Sequence, residues 1–201
     1  MPRRQLVLAL LLAVFMTIAA MTIIREAEGP QRAKEVPLPD VVKNAPETLK
    51  VYSLAFSRGD FIPTKYTCDG LDVSPPLVVE NILSSAKSLL LVVYDPDAPK
   101  GTFYHWILYN IPVSTTRIPE DIPKDPVVKG LGLQGRNDFG RIGYGGPCPP
   151  SGDRPHRYVF LIIALDVDNL GIEPGAPCRT ILEAARGHVV GYGYTYGVYG
   201  R

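Results

Sequence analysis

The apolar residues of this 201-residue chain form one long block near the N-terminus and a series of short ones after it. The long block covers residues 6–24, where only Thr17 and Thr22 are polar. As a helix it would span roughly 28 Å, close to the hydrocarbon thickness of a bilayer. Arg3 and Arg4 precede it, which orients the N-terminus inward and sends the rest of the chain across. The pattern predicts an uncleaved membrane anchor over residues 1–24. A cleaved signal, cut near Thr17-Ile18-Ala19, is the alternative. Either reading makes the protein extracytoplasmic, anchored in the first case and secreted in the second. Residues 25–48 mix prolines with charges and have no apolar period, so they read as a Pro-stiffened tether. The folded domain is expected over residues 49–201.

Inside that domain the short blocks read as strands. Residues 50–56 alternate loosely and stop at Arg58-Gly59-Asp60. Residues 88–94 (SLLLVVY), 105–111 (HWILYNI) and 157–165 (RYVFLIIAL) are continuous apolar runs closed by Asp-Pro-Asp, Pro112 and Asp166. Unbroken runs of this length, rich in β-branched residues, predict strands buried on both faces. One helix is predicted, over residues 180–186, with Thr180 as its cap and Glu183 completing a capping box. Residues 114–146 carry Pro, Gly and charge without a sustained period. That is too long for a bare connection, so the stretch is expected to hold short elements or a function.

Composition sharpens this. Pro and Gly number 20 and 19, about one residue in five against roughly 12% in an average protein. Proline at that density excludes a helical bundle, because each one removes a backbone donor and clashes with the preceding turn. Lys and Arg total 21 against 20 Asp and Glu. Without a basic excess there is no footprint for a nucleic-acid backbone, and no nucleic-acid partner is expected.

Three stretches carry candidate chemistry: Asp95-Pro96-Asp97-Ala98-Pro99, Phe103-Tyr104-His105-Trp106, and Gly146-Pro147-Cys148-Pro149-Pro150 running on to His156-Arg157-Tyr158. A period of two puts His156 and Tyr158 on one strand face with Arg157 on the other, and Asp95 and Asp97 on a common side. If those strands are neighbours, two carboxylates, two imidazoles and a phenol meet at one sheet end. Imidazole N–H and phenol O–H groups donate to phosphate or carboxylate oxygens, while aspartates fix histidine tautomers. Singly, each element also has an ordinary reading: core histidines, Asp-Pro turn chemistry, a stiffened loop.

In combination they resemble the phosphatidylethanolamine-binding protein family, which includes the Raf kinase inhibitor proteins and their bacterial and archaeal relatives. The matching pieces are Tyr66-Thr67-Cys68-Asp69-Gly70, Ser74-Pro75-Pro76-Leu77, the DPDAP motif at 95–99, His105-Trp106, Asn110-Ile111-Pro112, Tyr144, Gly146-Pro147, Pro149-Pro150, Gly152 and His156-Arg157-Tyr158. The resemblance implies a mainly β, two-sheet antiparallel sandwich-like domain with few short helices and a small anion pocket at one end. It implies that Asp95, Asp97, His105, Gly146, Pro147, His156 and Tyr158 form that pocket, with the 146–150 loop as a wall. It places Cys68 and Cys148 near the pocket, so these two are paired and Cys178 is left free. It also allows cis prolines at 75–76 or in the 147–150 loop.

The C-terminus departs from the family's animal members, which close the pocket with a helix. Here residues 191–201 alternate Gly and Tyr, against a helical lid. They read as a final strand with a solvated tail, or as tyrosines covering the pocket or forming an adhesive edge. Kinase regulation is therefore not carried over. The expected function is an exported binding module for a phosphoryl group or other small anion, without turnover, metal or cofactor. The alternative is a protein inhibitor of a protease, docking through a stiff exposed loop over 117–141. A hydrolase using Cys148, or a metal held by His105, His156 and an aspartate, ranks third, since no paired histidine spacing supports a metal.

Overall fold

The computed structural model describes residues 36–201, of which residues 37–201 form one compact unit. The anchor expected over 1–24 and the first part of the tether lie outside the described residues. Among the described residues no helix is long and apolar enough to cross a membrane.

The apolar blocks become strands: β1 (Lys50–Ser53), β2 (Leu77–Glu80), β3 (Ser88–Asp95), β4 (Phe103–Pro112), β5 (Arg117–Ile118), β6 (Val127–Val128), β7 (Gly132–Gln134), β8 (His156–Leu165) and β9 (Val189–Tyr199). They build a three-stranded sheet, β1-β2-β5, and a six-stranded sheet, β6-β7-β4-β3-β8-β9, with antiparallel pairing throughout both. The core lies between the sheets: Leu89, Leu91 and Val93 of β3 meet Trp106, Phe160, Val51 and Val79. The other face of β3, Leu90, Val92 and Tyr94, is also buried, which is why the run shows no polar alternation. The sequence is mainly β, as its Pro and Gly content requires.

Three expectations need correction. The folded unit starts earlier than residue 49. A 3-10 turn at Asp40–Val42 buries Val42, the Pro37 carbonyl accepts from the Tyr94 hydroxyl at 2.9 Å, and the Thr48 and Leu49 amides both donate to the Tyr192 carbonyl. The second part of the expected tether is therefore bonded to the sheet. The helix, α1, runs over Cys178–Ala184 without a side-chain cap, so Thr180 sits inside it and forms no capping box. Residues 114–146 hold short elements as expected, β5, β6 and β7, which knit the stretch into both sheets. All peptide bonds among the described residues are trans, including those at the prolines where the resemblance allowed cis.

Candidate functional site

The site lies where β4, β3 and β8 share an end. Antiparallel order puts the C-terminus of β3 beside the N-termini of its two neighbours, so Asp95 pairs across to Phe103 and Tyr94 to Val159. A cavity of about 140 Å³ opens there, lined by Asp95, His105, His156, Tyr158, Phe103 and Phe139 among others. Pro149, Pro150 and Cys148 form its wall.

His105 reaches the cavity through an irregularity in β4. The pairing of β3 with β4 steps from Val93–Trp106 to Tyr94–Tyr104, leaving His105 as an extra residue. Strict alternation would send His105 away from its core neighbour Trp106; the bulge turns it back. Its ring meets Tyr158 edge-on at 5.2 Å and Phe103 at 5.1 Å between centroids. Nδ1 lies 2.7 Å from the Gly145 carbonyl oxygen. A carbonyl only accepts, so Nδ1 carries the hydrogen and neutral His105 keeps a lone pair on Nε2. Burial pushes its pKa down, with the Gly145 carbonyl opposing.

His156 is held differently. Its Nδ1 donates to Asp95 Oδ2 at 2.8 Å, with both side chains buried. The other Asp95 oxygen accepts the Asp97 amide at 2.7 Å. His156 Nε2 is directed away from this pair, and a second carboxylate, Asp153 Oδ2, stands 3.6 Å from it. Tyr158, two residues on from His156 in β8 and edge-on to His105, is 0% exposed. Its hydroxyl is one of two buried side-chain oxygens among the described residues without a hydrogen-bond partner. Burial and the Asp95 charge raise its pKa, so the phenol stays protonated and available as a donor. The Cys148 amide works against that shift without reaching hydrogen-bond geometry.

Of the residues singled out from sequence, the structure brings Asp95, His105, His156 and Tyr158 together. Asp97 does not line the cavity. The strand ends at Asp95, so the period of two does not extend through the turn. Asp97 instead accepts two hydrogen bonds from the Arg157 guanidinium, each 2.7 Å, plus the Arg157 amide at 3.0 Å. That guanidinium holds its carboxyl below the ordinary value. Gly146 and Pro147 do not line the cavity either; they seat the wall. Gly146 packs so closely on Tyr66 and Thr67 that a Cβ would stand 2.5 Å from the Tyr66 carbonyl oxygen, and its amide donates to Asp72. The Pro147 carbonyl accepts from the Cys68 amide.

A Cys68–Cys148 disulfide, Cα–Cα 5.4 Å, ties the wall to the 64–70 segment. Cys178 is a buried free thiol whose pKa is raised by burial. Sequence reasoning missed Phe139 and Asp153. Phe139 is presented by a turn in which Asn137 Oδ1 accepts the Phe139 and Arg141 amides. The Asn-Asp-Phe-Gly signature at 137–140 was the available signal. Among the described residues no group of three or more His, Cys, Asp or Glu side chains is gathered as a metal site.

A family model described as phosphatidylethanolamine-binding protein matches residues 52–200. A UPF0098 protein of Pyrococcus horikoshii is 52% identical over 156 residues, covering 77% of each chain. One from Aquifex aeolicus is 46% identical over 153 residues, 76% of this chain and 89% of the relative. The crystal structure of a phosphatidylethanolamine-binding protein homolog from Chlamydia trachomatis superposes with a TM-score of 0.66 at 39% identity, covering 77% of this chain and 99% of that one. That of Escherichia coli YbcL, described as a member of the mammalian PEBP family, gives 0.72 at 31% identity with the same coverage.

Proposed function

The chain belongs to the phosphatidylethanolamine-binding protein family, and from that premise we propose that its cavity binds a phosphoryl group or similar small oxyanion without chemical turnover. The observation that carries the reading is the Tyr158 hydroxyl, fully buried and unpartnered beside two imidazoles. An unsatisfied buried hydroxyl costs about 1 to 3 kcal/mol, and a ligand oxygen accepting from it removes that cost. His156, its Nδ1 donating to Asp95, adds a second polar ring to the cavity lining. His105 Nε2 offers a lone pair to a ligand O–H.

Binding without turnover fits the thiol inventory. Cys148 is consumed in a disulfide, and Cys178 is buried with its thiol held protonated, so neither is an activated nucleophile. The apolar run at 6–24 supports a location outside the cytoplasm. The test is calorimetric titration of the full chain with inorganic phosphate, parent against Tyr158→Phe. Loss of one hydrogen bond to a charged group predicts a 10- to 150-fold weaker phosphate complex, roughly, while the melting temperature of the ligand-free variant does not fall. Equal phosphate affinities in parent and variant would remove the basis of the reading.

A further inference from the structure

We propose that Asp153 makes the cavity selective for singly charged oxyanions over doubly charged ones. This rests on the anion-binding reading and names its ligand class. The Asp153 carboxylate stands 3.6 Å from His156 Nε2, on the nitrogen that Asp95 leaves open. It is 43% exposed where His156 is 4% exposed, so it faces the ring from the solvent side. A ligand oxygen that uses this nitrogen meets the Asp153 carboxylate at close range.

No lysine or arginine is among the described residues that line the cavity. The nearby guanidinium of Arg157 makes a two-bond pair with Asp97. The lining therefore holds no fixed positive charge, and burial works against a proton on His105. The fixed charges against His156 are carboxylates, Asp95 on Nδ1 and Asp153 facing Nε2. A first negative charge on the ligand is met by the Tyr158 hydroxyl, which is buried and without a partner. A second negative charge finds no cation in the lining and is repelled by both aspartates. Coulomb energy is linear in ligand charge, so a dianion feels Asp153 twice as strongly as a monoanion of the same shape.

Sulfate and methanesulfonate make that comparison, being tetrahedral oxyanions of similar size with two charges and one. The full chain is titrated with each at pH 6 and fixed ionic strength, where the two anions keep their charges, as parent and as Asp153→Asn, which keeps the side-chain shape. Asp166→Asn serves as the control for net charge, since Asp166 lies beyond the far end of β8, roughly 30 Å away. The parent is expected to bind methanesulfonate more tightly than sulfate. In Asp153→Asn, if methanesulfonate gains about threefold, sulfate gains about ninefold, and Asp166→Asn changes neither. A parent that prefers sulfate, or equal gains for both anions in Asp153→Asn, would overturn the selectivity while leaving anion binding intact. A parent that binds neither anion overturns both.

Discussion

His105 and His156 are both buried imidazoles, yet their surroundings give them opposite work. His156 faces two carboxylates, whereas His105 faces aromatic rings and a carbonyl. For His105 burial lowers the pKa from 6.5, so the folded chain holds it neutral while the unfolded chain takes up a proton below that value. The stabilisation is thus fully present above about pH 6.5 and is lost as pH falls toward the lowered folded-state value. Denaturation midpoints should decline below about pH 6.5 in the parent and stay flatter in His105→Gln. Asp97 acts in a separate window. Its value is lowered from 3.8 by Arg157, so its stabilisation holds above about pH 4 and goes only in stronger acid. At this scale the sequence was legible where a strand runs straight: His156 and Tyr158 share a face, as alternation requires. It was illegible where the strand does not. The bulge at His105 depends on how β4 pairs with β3, and Asp97 lies just past a strand end that no local pattern marks.

Elements were legible by type and less so by their ends. The three apolar runs became β3, β4 and β8, because continuous burial leaves the same imprint in any partner arrangement. The start of α1 escaped because it depends on a distant partner: the Cys178 amide donates to the Arg136 carbonyl, and the helix opens two residues ahead of Thr180. The Gly and Tyr alternation of β9 has a tertiary cause too. At Gly193 an added Cβ would stand 2.1 Å from the Leu49 carbonyl oxygen, so Gly191 and Gly193 mark where the 46–49 segment lies against β9, while Gly197 packs on Phe56 and Ile62. The larger positions carry Tyr192, Tyr194 and Tyr196, with the Arg58 guanidinium 4.3 Å from the Tyr194 ring centre. Gly193→Ala should therefore cost about 1 to 3 kcal/mol through overpacking. Urea midpoints measure the loss, and faster hydrogen exchange at the Thr48 and Leu49 amides would locate it.

For the molecule as a whole, the family likeness carried what local patterns could not, since the joining of β4, β3 and β8 at one end is a property of topology. The Cys68–Cys148 bond spans 80 residues, worth about 4.5 kcal/mol in the chain-entropy account. A dithiol reductant, or the Cys68→Ser/Cys148→Ser pair, should lower the unfolding midpoint by a comparable amount. That bond also divides the site. Asp95 and His105 lie inside the covalent ring from 68 to 148, while His156 and Tyr158 lie beyond it, joined to β3 by hydrogen bonds. A protease that severs one peptide bond within the ring, for instance in the exposed stretch at 119–130, therefore opens the circle without making two molecules. The nicked chain should migrate as a single species on a non-reducing gel and part into two when reduced, its two halves of the cavity leashed together through the wound.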